Sequence, residues 1–172
     1  CEKLKVNPAK VSVIFNGISE VFRDYIPNEE KKQQVLLRYG LPENYLLCLS
    51  TLEPRKNMRL LIDAYESLIL EGKIDVELVL AGRKGWKIDN LLENIHPNVV
   101  PRIHFTGFVE NDDLPVIYKC ARCFVFPSKY EGFGIPPLEA LAMGTEVISS
   151  DAASMPEILG DEVTYFCNGD KE

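Results

Sequence analysis

Short apolar runs punctuate this chain at intervals that leave room for a helix between most of them. They are Val11 to Phe15, Tyr45 to Leu49, Val76 to Ala81, Ile103 to Phe105, Cys123 to Phe126 and Val147 to Ser149. They are rich in β-branched, aromatic and leucine side chains, and mostly continuous rather than alternating, which is the pattern of strands buried on both faces. Helical patterns lie between them. Met58, Leu61, Ile62, Tyr65, Leu68 and Ile69 fall on one stripe at spacings of three and four. Glu29 to Tyr39 reads as a second helix, with Asn28 as its cap and Gly40 as its stop, and Asn111 to Cys120 reads as a third. Repeated strand and helix units predict right-handed crossovers and a doubly wound α/β domain with a parallel sheet. The 172 residues suit one such domain, read here as 1–172. Ligands of doubly wound sheets bind beyond the carboxyl ends of the strands. A site is therefore expected in the loops after Leu49, Ala81, Phe105 and Phe126.

Composition removes several function classes. Lysine and arginine number 19 and aspartate and glutamate 26, a net charge of −7, so the average field repels nucleic-acid backbones and anionic membrane surfaces. Apolar stretches such as Leu78 to Ala81 fall far short of the roughly 20 residues that cross a bilayer. Cys1, Cys48, Cys120, Cys123 and Cys167 are odd in number and scattered through apolar runs, which predicts packed free thiols in a reducing cytoplasm. Cys120 and Cys123 form a CxxC, but no second pair follows and the only histidines are His96 and His104. That CxxC closes a helix rather than opening one, so neither a zinc site nor a redox site is expected. The chain opens on Cys1 rather than Met, with no readable secretory signal, and an excised piece of a longer protein is the expectation.

The most informative stretch is PSKYEGFGIPPLEALAMG, Pro127 to Gly144, which joins a strand to a helix. Gly132 and Gly134 let the backbone bend and approach a ligand, while Pro136 and Pro137 pre-set the first helical turn. Amides and the positive end of the helix dipole there suit a diphosphate. Glu131 and Glu139 flank the turn, and carboxylates so placed could accept hydrogen bonds from sugar and ribose hydroxyls. The plainer reading, a strand-to-helix loop with a capping carboxylate, fits the residues equally well. In STLEPRKN, Ser50 to Asn57, Arg55 and Lys56 are cations at a strand's carboxyl end, either phosphate ligands or a solvated pair. AGRKGW, Ala81 to Trp86, is a further basic, glycine-punctuated loop in which Trp86 could simply pack. HFTGFVENDDL exposes the backbone of Phe108 and Val109 at the same edge, and its Asn111, Asp112 and Asp113 read as a helix entry that caps and complements the dipole. No GxSxG, GxxxxGK[ST] or GxGxxG motif supports a triad or a dinucleotide loop.

Together, EGFGIPPLE (Glu131 to Glu139, an acid, seven residues and an acid) and the run SKYEGFGIPPLEALAMGTEVISSD resemble the donor-site signature of retaining glycosyltransferases of family 4. Those enzymes have the GT-B fold, in which this would be the second, Rossmann-like domain. VIFNGIS, STLEPRKN, HFTGFVENDDLPVIYKCARCFVFPS and ASMPEILGD match further segments of that family in order. The resemblance implies that Lys56 binds the donor phosphates, Glu131 faces the transferred sugar and Glu139 anchors the ribose. Gly132, Phe133, Gly134 and Ile135 would offer amides to the sugar and diphosphate, and Val109 or Phe108 would meet the base through main-chain atoms. No metal or cofactor is implied, because protein cations and the helix terminus neutralise the diphosphate. Thr51 stands where the family often has Arg, and Arg55 is the candidate substitute for that charge; Glu146 stands where it usually has Pro.

The resemblance therefore implies a donor-binding domain that takes a nucleotide diphosphate sugar, with a lean towards GDP-mannose, and a glycan or lipid-linked acceptor bound by an N-terminal domain absent here. A cytoplasmic enzyme is expected, meeting the inner face of the membrane only through the missing half. The alternatives are another GT-B enzyme, such as a sugar-nucleotide epimerase or a phosphorylase, and a non-catalytic α/β module using Tyr130 and Phe133 as a protein-binding patch.

Overall fold

A computed structural model of the chain describes residues 6–83 and 90–167. It contains a sheet of six strands, all parallel, in the order β3-β2-β1-β4-β5-β6. The strands are β1 (Tyr45–Leu49), β2 (Glu77–Ala81), β3 (Ile103–Gly107), β4 (Cys123–Phe126), β5 (Glu146–Ser150) and β6 (Thr164–Phe166). The helices are α1 (Glu20–Arg23), α2 (Glu29–Tyr39), α3 (Met58–Leu70), α4 (Leu114–Cys120), α5 (Ile135–Ala142) and α6 (Met155–Leu159). No helix among the described residues is long and apolar enough to cross a membrane.

Side chains leave successive strand positions on opposite faces, and each face has its own core. Tyr45, Leu47, Phe124 and Phe126 pack with Phe22, Val35, Ile117, Tyr118, Ala140 and Met155 on one face. Leu78, Leu80, Cys48 and Cys123 pack with Met58, Leu61, Ile62 and Tyr65 of α3 on the other. A strand with both faces covered has no solvent side to carry polar residues, which is why β4 is buried at every position and reads as an uninterrupted apolar run. The Asn28 side chain accepts from the Lys31 N–H at 2.9 Å, and Gly40 ends α2 in the left-handed region at φ 60°.

The sequence reading needs correction in three places. Val11 to Phe15 is not a strand: Val13 and Ile14 are 77% and 89% exposed, and no strand among the described residues hydrogen-bonds to the segment. An apolar run indicates only a preference for extended backbone; a strand also needs a partner. The helix from Asn111 begins as a 3₁₀ turn, Asn111–Asp113, and becomes α-helical at Leu114. Finally, β6 was not anticipated, since three residues at a sheet edge are too few for a period to show.

Candidate functional site

The strand order reverses between β1 and β4, so the connections that leave these neighbours diverge and open a crevice at the carboxyl edge. The β1 connection carries Lys56 at the end of a 3₁₀ turn, Pro54–Lys56, and the β4 connection carries Glu131. The two loops are tied by a backbone bond from Lys129 N–H to the Arg55 carbonyl at 2.9 Å. Above it, Lys56 Nζ meets Glu131 Oε1 at 2.5 Å and Arg55 Nη1 meets Glu131 Oε2 at 3.0 Å. The Lys56 and Glu131 side chains are only 10% and 12% exposed, whereas Arg55 is 49% exposed and also reaches Glu53 and the Tyr130 carbonyl. Lys56 Nζ further lies 5.6 Å from the centre of the Phe126 ring. Burial would push the Glu131 carboxyl up, but Lys56, the nearby Ser128 hydroxyl and Arg55 together hold it below the ordinary glutamate range.

Beside this triad lies a cleft of about 460 Å³ whose walls include Thr51, Lys56, Arg83, Phe108, Val109 and Pro136. It draws on the loops after β1, β2 and β3 and on the start of α5, the four places a doubly wound sheet would use. Gly82 makes the closeness of the first two possible: a Cβ there would lie 1.9 Å from the Ser50 carbonyl oxygen. The Arg83 guanidinium sits 4.3 Å from the centre of the Phe108 ring, a cation–π contact at the cleft wall. Lys84, Gly85 and Trp86 of the same loop lie outside the described residues.

The glycine turn leads directly into α5. Gly134 takes φ +90°, and a Cβ on it would come within 2.5 Å of the Met155 methyl carbon. Pro136 and Pro137 have no N–H, so two of the first-turn donors of α5 are missing. Any amides offered to an anion at this helix start would therefore be those of the turn itself, Gly132 to Ile135. Phe133 contacts Phe15, with ring centres 6.1 Å apart. Ser154 Oγ donates to the Glu131 carbonyl at 3.2 Å, which props the turn from the side of α6.

Glu139, one turn into α5, accepts a hydrogen bond from the Tyr118 hydroxyl at 2.9 Å and is not among the cleft-lining residues. Burial raises its carboxyl above the ordinary range and the Tyr118 bond only partly opposes this. Apart from the glycine turn, Gly132 to Ile135, the sequence-predicted residues fall into three groups. Thr51, Lys56, Phe108 and Val109 line one cleft. Glu131 and Arg55 close against Lys56 at its side, and Glu139 faces α4. The thiols of Cys48, Cys120 and Cys123 are free, and no metal-binding cluster occurs among the described residues.

Sequence reasoning assigned Asp113 to the cap of α4, and the structure corrects this: its side chain makes no cap bond. Its Oδ2 instead accepts from Arg38 Nη1 at 2.7 Å and from the Tyr39 hydroxyl at 2.9 Å. The Tyr39 oxygen also accepts from the Glu110 N–H at 3.2 Å. Nothing in the spacing of these residues, some 70 positions apart, signals the contact.

A parallel doubly wound sheet with Lys56 and Glu131 meeting over its switch point is the architecture of α/β domains whose ligands bind beyond the carboxyl ends of the strands. More narrowly, the chain belongs to the family described as glycosyl transferases group 1, which matches residues 43–172. O-antigen chain mannosyltransferase B of Escherichia coli is 42% identical over 141 residues, 80% of this chain and 37% of that protein. O-antigen chain mannosyltransferase RfbU of Salmonella typhimurium is 32% identical over 174 residues, 97% of this chain and 42% of that protein. The chain thus spans about two fifths of the length of these relatives. Among solved structures, Anabaena HepE in complex with UDP and glucose superposes with a TM-score of 0.77 at 20% identity, over 99% of this chain and 47% of that one. The C-terminal domain of a group 1 glycosyl transferase from Francisella tularensis does so with a TM-score of 0.70 at 23% identity, over 91% of this chain and 82% of that one. The fold is that of the GT-B glycosyltransferases.

Proposed function

We propose that the chain is the donor-binding domain of a retaining glycosyltransferase that moves a sugar from a nucleotide diphosphate sugar to a glycan or lipid-linked acceptor. The observation that carries this reading is the meeting of Lys56 and Glu131 over the switch point, beside a cleft lined by Thr51, Phe108, Val109 and Pro136. A diphosphate in that cleft would be neutralised by Lys56, with Arg55 in support, and by the amides of Gly132, Phe133, Gly134 and Ile135. When the sugar–phosphate bond breaks, negative charge grows on the leaving diphosphate, and a lysine already fixed by its surroundings stabilises it without reorganisation. Glu131 orients the sugar through its hydroxyls, and Glu139, whose Oε2 is taken by the Tyr118 hydroxyl and which lies off the cleft wall, holds a ribose that reaches past Pro136 towards α5. Val109 or Phe108 takes the base through main-chain atoms. No metal or cofactor has a part in this scheme, and binding should be indifferent to a chelator.

Mannose is the favoured sugar and GDP the favoured carrier, because mannosyltransferases recur among the relatives and the PRKN loop leans the same way. The acceptor would be bound by an N-terminal domain, which would also supply any contact with the inner face of the membrane from the cytoplasm. Calorimetric titration of the folded chain with GDP, UDP and ADP tests the reading. Heat and thermal stabilisation from one of them are expected, and silence from all three would overturn it.

A further inference from the structure

The Val109–Glu110 peptide lies between the candidate cleft and the end of α2, and both of its sides are accounted for. Val109 is a cleft wall. The Glu110 N–H is held by the Tyr39 hydroxyl at 3.2 Å, and that hydroxyl donates in turn to Asp113 Oδ2 at 2.9 Å. Asp113 is 7% exposed and is fixed by Arg38 at 2.7 Å. Lys31 Nζ adds a bond to the Asp112 carbonyl at 2.7 Å, so α2 grips the segment again two residues further on. A peptide unit is planar and trans, and its N–H and C=O point in opposite directions. Fixing the Glu110 N–H on Tyr39 therefore fixes the Val109 carbonyl to point away from α2.

We propose that Tyr39 and Asp113 are positioning residues for the nucleotide base: through the Glu110 N–H they hold the Val109 carbonyl as an acceptor for a donor N–H on the base edge. This rests on the donor-domain reading above and adds to it residues that touch no part of the ligand. The assignment explains why an acid at the start of α4 leaves its own helix uncapped and is spent on a helix elsewhere in the chain. It also explains why the Tyr39 hydroxyl is used twice, once as donor and once as acceptor. The diphosphate has no share in this network, since Lys56 and the glycine turn belong to other loops.

The test compares two probes on the full chain: the nucleoside diphosphate that binds most tightly among GDP, UDP and ADP, and inorganic pyrophosphate. In Tyr39→Phe, nucleoside diphosphate affinity should fall about three- to tenfold, the worth of one neutral hydrogen bond, while pyrophosphate affinity stays unchanged. Asp113→Asn, of the same shape, should move the nucleotide-to-pyrophosphate ratio in the same direction. A purely structural role would lower the melting temperature and leave that ratio where it was. An unchanged ratio in both variants, or equal weakening of both probes, overturns the proposal while the donor-domain reading stands. A wild-type chain that binds pyrophosphate and no nucleotide overturns both.

Discussion

The Lys56–Glu131 contact should behave as a buried, coupled charge pair. Its members are 10% and 12% exposed and meet at 2.5 Å, with Arg55 as a second, more exposed cation at 3.0 Å. Removing one member of a buried pair usually costs about 3–5 kcal/mol, because the other is left uncompensated. Here Arg55 remains on Glu131, so Lys56→Met should cost about 2–3 kcal/mol. For a chain of this length that corresponds to a melting temperature lower by about 4–12 °C. Glu131→Gln keeps the shape and an acceptor but leaves the buried Lys56 ammonium without its counter-charge, and should cost about 2–3 kcal/mol. The double variant should recover much of the difference, giving a coupling energy of about 2 kcal/mol in a urea-unfolding double-mutant cycle at neutral pH. The pH dependence has a fixed sign. Glu131 is held below the ordinary glutamate range in the fold, so its contribution is complete above that range and is lost as pH falls through the folded value. Lys56→Met should flatten that acid limb. A coupling energy below about 0.5 kcal/mol would refute the argument, since that is the worth of a solvent-screened surface pair. The same contact makes a prediction for binding. Glu131 already occupies the cation that a diphosphate would use, so Glu131→Gln should tighten pyrophosphate binding even while it weakens selection of the sugar.

Other outcomes follow from neighbouring geometry. Glu139→Ala should weaken the preferred nucleotide by about 1–3 kcal/mol in calorimetry, and an unchanged affinity would remove Glu139 from the site. Because burial raises the Glu139 carboxyl, this group opposes folding as pH rises from the ordinary glutamate range through its folded value. Glu139→Gln should therefore be at least as stable as the parent at neutral pH, as measured by urea unfolding. Gly82→Ala should prevent folding or destabilise severely, because backbone at 1.9 Å cannot yield, whereas Gly134→Ala should cost about 1–3 kcal/mol, because the atom it meets is the flexible end of Met155. Burial raises the thiols of Cys48 and Cys123, to about 12 and about 11, so both should resist a thiol reagent until denaturant is added.

The sequence revealed those features in which neighbouring residues report on one another. Tyr45–Leu49 and Cys123–Phe126 were legible to the residue, since burial on both faces leaves a continuous apolar run. The stripe on α3 and the cap and stop of α2 were legible for the same local reason. Val11 to Phe15 misled because its apolar character was real while the partner strand was missing. In the site, Lys56, Glu131 and Glu139 could be named from their loops and the family likeness, but their mutual arrangement could not. That Glu131 sits on Lys56, that Glu139 turns to Tyr118, and that Asp113 serves α2 are contacts between residues 21 to 75 positions apart. Such contacts depend on strand order, and the order of the strands across the sheet is not written in any one segment.

The reversal between β1 and β4 also bears on how such a domain can change. The recess exists because two adjoining connections set off in different directions, and no packed side chain had to be withdrawn to make room for it. Rim residues such as Thr51, Arg55 and Phe108 hang outside the layers that keep the chain folded. Substitutions at such rim positions can therefore accumulate while the interior beneath is left intact.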